Sequence, residues 1–315
     1  MNFNIRSYKD IYLPRKPIEY VVEGLVSTSS LNIFFGAPGS KKTYSLLNMA
    51  VAVSNGSDWL NFKTKKFPVL FIDEESGGDH IVPRLEQVVR GTSLYDVKEN
   101  IDLNYLSLSG IKLDKQKDID GIEQDIKEKN IKLIILDALS EVVSGDENSK
   151  KDIQPVMSNL KRIAENTHSA VILIHHTTKD GIEYRGSSAI GASADLIVRV
   201  TSKQTSPFIT FEPTKNREGN VLPWNAKAIW EENSPIVFHL NPTIEVPKKV
   251  LNRKDFILKI LKENGELSIK DMVDRKGDFT EATIKQTVSD LKRDDKIYRT
   301  NGKAGDSNAI YDIVE

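Results

Sequence analysis

Leu31-Asn-Ile-Phe-Phe-Gly-Ala-Pro-Gly-Ser-Lys-Lys-Thr43 is the stretch whose reading decides the fold. The apolar run Leu31 to Phe35 predicts a buried strand, and Tyr44 to Val53 predicts a helix. Between them Gly36, Ala37, Pro38, Gly39, Ser40, Lys41, Lys42 and Thr43 make a small-residue loop ending in Lys-Thr. Strand, loop and helix in that order are the setting of a phosphate-binding P-loop. The loop's backbone N–H groups and the helix N-terminus point at an anion. Lys42 then reaches the outer phosphates, and the Thr43 hydroxyl holds Mg²⁺.

The pattern G-x-x-x-x-G-K-[ST] asks for glycine at 41, and this chain has Lys41. Glycine there allows close backbone approach and any φ. Lysine brings a Cβ and a charge that either crowds the phosphates or adds a second cation beside them. Gly36, Lys42 and Thr43 fit the pattern.

The surrounding chain bounds the possibilities. Its 315 residues suffice for one large domain and a small one. Hydrophobic residues at 39% and charged residues at 28% are ordinary for a globular protein. A net charge of −1 gives no global pull toward nucleic acid or membrane, so any DNA contact needs local patches. The absence of cysteine excludes disulfides, zinc–thiolate sites and cysteine nucleophiles. No apolar run approaches membrane-spanning length, and the first ten residues lack the apolar core of a signal peptide. A cytoplasmic location and no membrane partner are the expectation.

In chain order, residues 1–30 read as an irregular lead-in, with Pro14 and Pro17 discouraging helix. Val69 to Ile72 predicts a second strand, followed by Asp73, Glu74 and Glu75. Residues 79–90 have helical spacing, Ile101 to Leu106 suggests a short strand and Asp118 to Lys129 an exposed helix. Ile131 to Asp137 is a third main strand, Ile153 to Asn166 a helix, and Ala170 to His176 a fourth main strand ending in two histidines. Late strands follow at 195–200 and 208–211. Strands alternating with helices imply a parallel sheet covered on both faces. Ligands of such sheets bind at the carboxyl ends of the strands. Four such ends carry the P-loop, the acids 73–75, Asp137 and His175-His176.

Nucleotide hydrolysis needs a phosphate cradle, a metal, a group that orients water and cations that take up charge. Asp137 is placed to hold Mg²⁺, unless it is a strand-end acid capping a turn. Glu75 is the candidate to polarise water, on a strand expected close to the P-loop strand, with Asp73 and Glu74 as rivals that spacing barely separates. His175 and His176 are either structural or sensors of the γ-phosphate. Tyr184-Arg-Gly-Ser-Ser188 and Lys215-Asn-Arg-Glu-Gly219 are basic clusters that each follow a strand.

Gly36–Thr43, Val69–Glu75, Ile131–Asp137, His175-His176, Arg185-Gly-Ser-Ser188 and Lys215-Asn-Arg217 occur in the order seen in RecA-like hexameric ATPases. Over residues 17–240 the chain resembles the plasmid RepA-type and DnaB-type replicative helicases. The resemblance implies ATP with Mg²⁺, and Glu75 as the catalytic carboxylate beside Lys42 and His176. It also implies that Lys215 and Arg217, with Arg185, reach a neighbouring subunit's nucleotide. A homo-hexameric ring around single-stranded DNA follows from the same likeness.

The expected organisation is an α/β RecA-like domain over 1–240, a linker at 241–247 and a winged helix-turn-helix domain over 248–315. The last rests on three predicted helices, from 254, 268 and 280, and a hairpin over 296–313. Residues 248–315 hold 15 Lys+Arg against 13 Asp+Glu, so basicity is slight. Lys285, Lys292 and Arg293 on the third helix, with Arg299 and Lys303 on the hairpin, are the candidate DNA phosphate contacts; a protein–protein role for the same fold is the alternative. The reading is an ATP-dependent ring-forming DNA motor. Its rivals are a nucleotide-gated DNA-binding loader or regulator that does not translocate, and a recombinase-like filament.

Overall fold

The computed structural model describes residues 7–14, 17–92, 101–178, 181–219, 221–229, 235–240, 253–275, 280–302 and 308–314. Two compact units divide the chain, Met1–Ile244 and Glu245–Glu315.

The first unit begins with a 3-10 turn at Tyr8–Tyr12 and a two-stranded ribbon, β1 (Tyr20–Val22) and β2 (Val26–Ser27). Alternation of buried strands and helices then follows: β3 (Leu31–Gly36), α1 (Lys42–Asn55), β4 (Val69–Asp73), α2 (Gly78–Arg90), β5 (Leu103–Ser107), α3 (Gln116–Glu128), β6 (Leu133–Asp137), α4 (Lys150–Thr167), β7 (Ala170–His176), α5 (Ser188–Ser193) and β8 (Leu196–Thr201). β9 (Phe208–Asn216), β10 (Trp224–Ile229) and β11 (Val237–Leu240) complete it.

Nine strands form one sheet in the order β11-β10-β9-β8-β3-β7-β6-β4-β5. The six from β8 to β5 are parallel. The other three are antiparallel, so the sheet is mostly but not wholly parallel. Short connections allow only antiparallel return, whereas each parallel step needs a helical crossover. β10 and β11 were not anticipated. Trp224-Asn-Ala-Lys-Ala-Ile229 offers small residues where strands favour branched ones, and β11 is a four-residue edge. Trp224 nonetheless stacks on Phe211, ring centroids 5.2 Å apart, and fixes that hairpin to the core.

Period-2 alternation sorts the strand side chains onto two cores. Phe34, Phe71, Ile135, Ile172 and Val198 face α1 and α2, while Ile33, Ile72, Leu136 and Leu173 face α3 and α4. Because all six parallel strands run one way, Gly36 ends level with His176, and Asp73 level with Asp137.

The second unit has helices α6 (Arg253–Asn264), α7 (Ile269–Asp274) and α8 (Glu281–Arg293), with strands β12 (Leu267–Ser268), β13 (Ile297–Asn301) and β14 (Ile310–Ile313) in one antiparallel sheet. Ile257, Leu261, Met272, Ile284, Val288, Leu291 and Tyr311 form its own core. A capping box, Ser268 with Asp271, starts α7.

Candidate functional site

Gly36 closes β3 where no side chain fits, since a Cβ would lie 2.3 Å from the Val200 carbonyl oxygen. At the other end of the loop Lys41 is the N-cap of α1 and adopts φ 69°, ψ 22°. That left-handed conformation is where glycine is at home, and it costs another residue about 1 kcal/mol. The lysine ammonium donates to Ser202 Oγ at 2.7 Å and to the Lys203 carbonyl at 2.8 Å, on the turn after β8. Neighbouring Lys42 behaves differently. Its Nζ lies inside the loop, donating to the carbonyls of Gly36 (2.7 Å) and Ala37 (2.9 Å). Burial lowers the pKa of this ammonium, against the opposing charges of Asp137 and Glu75.

Thr43 Oγ1 donates to Asp137 Oδ2 at 2.6 Å. The other oxygen, Oδ1, is buried with no hydrogen-bond partner among the described residues. Burial is the main cause that pushes this carboxyl up to about 7; the Thr43 hydrogen bond opposes it, and Glu75 and Asp73 add to it. An orphaned carboxylate oxygen beside a hydroxyl is a hard-donor set that fits Mg²⁺. Among the described residues no group of three or more His, Cys, Asp or Glu side chains could hold a metal ion. A cation here therefore depends on Thr43, Asp137 and the phosphates it accompanies, as is usual for Mg²⁺.

The three acids after β4 separate cleanly by what they touch. Asp73 accepts from the backbone N–H groups of Ser76 (3.1 Å) and Gly77 (2.9 Å), shaping the turn into α2. Glu74 accepts from the N–H groups of Ser109 and Gly110, both at 2.9 Å, and from the Ser109 hydroxyl. Glu75 is exposed and lines the cleft. It does so although β7 and β6 stand between β4 and the P-loop strand, so the two strands are not adjacent. The residues beyond the strand end carry Glu75 back across.

The histidine pair also divides. His175 is fully buried, its Nε2 2.6 Å from the Arg185 carbonyl, and burial pushes it down to about 4, so it is neutral. His176 is half-buried and lines the cleft; burial first, then Lys42, lowers it.

Lys42, Thr43, Glu75, Asp137 and His176 thus share one cleft of about 320 Å³. Arg84, Tyr44 and Gln204 line it too, unforeseen from sequence. Arg84 donates to Ser76 Oγ at 2.7 Å and lies 6.0 Å over the Tyr44 ring. Its only advance signal was its position on the helix that follows the acid-bearing strand.

The remaining cations are scattered. Arg185 stays at the carboxyl edge and pairs with Glu147 at 2.5 Å. Lys215 and Arg217 end β9, which runs antiparallel, so they lie at the opposite edge of the sheet from the P-loop. Neither reaches the cleft of its own chain, and neither joins Arg185. On the second unit, Lys285, Lys292 and Arg293 are exposed on α8, with Lys285 paired to Glu281 and Arg293 to Asp290. Arg299 is half-buried on β13, with Nη1 out of solvent; Lys303 lies outside the described residues.

A family described as "AAA domain" matches residues 7–181. Among solved structures, the chain is similar to an isolated ATPase domain, with a TM-score of 0.54 and 16% identity over 68% of this chain and 86% of that one. It is also similar to a DnaB-like replicative helicase described with its interactions with primase, with a TM-score of 0.56 and 16% identity over 73% of this chain and 66% of that one. No curated protein matches the chain. At that identity the likeness establishes the fold, an α/β core with a mostly parallel sheet as in RecA-like ATPases.

Proposed function

Because this chain belongs to the AAA domain family, we propose that it is an ATP-driven DNA motor of the replicative-helicase kind. In this reading it hydrolyses ATP at the subunit interfaces of a homo-hexameric ring that encircles single-stranded DNA. The observation that carries it is the split between the two edges of one sheet. Lys42, Thr43, Glu75, Asp137 and His176 meet in one cleft, while Lys215 and Arg217 lie at the far edge. Cations that cannot serve their own cleft are suited to serve a neighbour's.

In the mechanism, the loop N–H groups and Lys42 cradle the phosphates. Thr43 and Asp137 would hold Mg²⁺, which when bound neutralises charge on the β- and γ-phosphates. Glu75, the acid left free of backbone partners, orients the attacking water. His176 sits where it can register the γ-phosphate. Arg217, assisted by Lys215, stabilises transition-state charge in trans, a contribution worth about 10³–10⁵ in rate for such fingers. Three helices and an antiparallel sheet support a winged helix-turn-helix reading of the second unit, with the exposed α8 cations toward DNA phosphates. A cytoplasmic location accompanies this reading; among the described residues no helix is long and apolar enough to cross a membrane.

One observation favours a non-translocating loader or regulator instead. Lys41 ties the P-loop to the turn after β8, and a stiffened loop suits a nucleotide-gated switch. ATPase turnover with and without single-stranded DNA, mass measurement with ATP, and strand displacement from a forked substrate decide between them. DNA-stimulated turnover, a six-subunit mass and displacement support the motor. ATP binding without displacement overturns it in favour of the regulator.

A further inference from the structure

Asp195 is the junction of three strands at the sheet edge away from the P-loop. Its N–H donates to the Leu31 carbonyl at 2.7 Å, and its Oδ2 accepts from the Leu31 N–H at 3.0 Å. Leu31 opens β3, the strand that ends in the P-loop. Toward β9, the Asp195 carbonyl accepts from the Arg217 N–H at 3.0 Å, and Oδ1 accepts from Arg217 Nη1 at 2.9 Å. Arg217 Nη2 donates to the Ala192 carbonyl at 2.9 Å, and Lys215 Nζ to the Gly191 carbonyl at 2.8 Å. Lys161 Nζ stands 3.8 Å from Oδ1.

We propose that Asp195 is a positioning residue for Arg217, holding its guanidinium at the subunit surface in the orientation in which it meets the neighbour's nucleotide. The inference rests on the trans role given to Arg217 above and deepens it. Asp195 is largely buried, at 17% side-chain exposure, while Arg217 remains 46% exposed. An anchored base with a free outer face is what a finger needs. A guanidinium fixed beforehand loses no rotamer freedom on engagement, and its planar fork keeps one face for a second anion. An ordinary surface ion pair would contribute little to anything. This one differs because the same carboxylate is also bonded to the start of the P-loop strand, so it shares that strand's rigid frame.

Two oxygens with two partners give a selective break. In Asp195→Asn the amide oxygen goes to the buried Leu31 N–H, which cannot turn to water, and the amide NH₂ then faces Arg217, donor against donor. The strand tie survives and the arginine tie does not. Asp195→Ala removes both. The full chain is assayed for steady-state ATP turnover with Mg²⁺ and single-stranded DNA, at a concentration where the wild type assembles. Equilibrium ATP binding and thermal midpoint are measured alongside.

Asp195→Asn is expected to lower kcat roughly 10- to 100-fold, the scale of a misplaced catalytic group. KM, ATP binding and the thermal midpoint stay near wild type. In an Arg217→Ala background the same substitution has no further effect. Full turnover in Asp195→Asn while Arg217→Ala is inactive overturns this inference and leaves the trans finger standing. Full turnover in Arg217→Ala overturns both. Effects that multiply in the double variant, or lost ATP binding in Asp195→Asn, show a role that does not pass through Arg217 and overturn the positioning claim.

Discussion

The two edges of the same sheet are built on opposite principles. At the carboxyl edge, polar groups are buried with partners missing or makeshift. Asp137 Oδ1 and His175 Nδ1 have none among the described residues, and Lys42 leans on the carbonyls of its own loop. Unsatisfied buried groups are costly, so a site that keeps them is arranged for something that satisfies them. At the amino edge, Asp195, Lys215 and Arg217 are fully engaged yet partly exposed. One edge is prepared to receive a ligand, and the other is prepared to be presented. The difference explains why the sequence order of the motifs says little about which of them act within one chain.

The comparison breaks most decisively at Arg217. Arg217→Ala is expected to lower ATP turnover of the assembled protein by about 10³–10⁵ and to leave ATP binding by the chain largely intact. Equilibrium titration alongside steady-state kinetics checks this; a tenfold loss of binding would mean that the amino edge serves its own cleft after all. Next in size is Glu75→Gln, expected to cost about 10²–10⁴ in turnover, since it removes a base and keeps the shape. Its controls come from the same turn. Asp73→Asn and Glu74→Gln alter stability through the N–H groups they cap. Should Glu74→Gln match Glu75→Gln in turnover at unchanged stability, the sorting of the three acids by their partners fails.

How much of this was legible beforehand depended on whether one residue or two carried the information. An apolar run ending in a polar group is a single-stretch signal, and it located β3, β4, β6 and β7 within a residue or two. The P-loop was legible for the same reason, down to Lys41 as the misfit. Strand order is a relation between distant stretches, so the two strands lying between β3 and β4 were not foreseen. Nor was the partition of Asp73, Glu74 and Glu75, which turns on Ser109 and Gly110 some 35 residues away. Arg84 and Asp195 carried no local signature. Asp195 read as the first residue of a strand, and only its bonds to Leu31 and Arg217 give it a part.

The carboxyl edge also predicts an acid sensitivity that the amino edge does not share. His175 is held at about 4, against an ordinary value of 6.5, chiefly by burial. A lowered folded-state value means that the unfolded chain binds the proton first. Its contribution to stability is therefore complete above about 6.5 and is lost as the pH falls toward 4. The full loss is roughly 3 kcal/mol, at about 1.4 kcal/mol per pH unit. Denaturant midpoints at pH 7, 5.5 and 4.5 should fall accordingly in the wild type. The fall should be shallower in His175→Asn, which has nothing to titrate there; equal slopes would assign the sensitivity elsewhere.

The smallest effect tests the residue that departs from the loop pattern. Lys41→Gly relieves a left-handed lysine, a gain of about 1 kcal/mol. It also removes two hydrogen bonds, to Ser202 Oγ and the Lys203 carbonyl, of about 0.5–1.5 kcal/mol each. Glycine further loosens the unfolded chain by some tenths of a kcal/mol. The net change in stability is expected to be a slight loss, within about 1–2 kcal/mol of zero, so a thermal midpoint alone would miss the substitution. The local consequence is larger than the global one. The turn held by Lys41 closes on itself through Ser206 N–H to the Lys203 carbonyl (3.0 Å) and Phe208 N–H to Ser206 Oγ (3.2 Å). Freed from the P-loop, it opens more often, and the amides of Ser206 and Phe208 should exchange with solvent several-fold faster while those of β3 and β7 do not change. Uniform exchange across all four positions would mean that the lysine merely tolerates its backbone and ties nothing together.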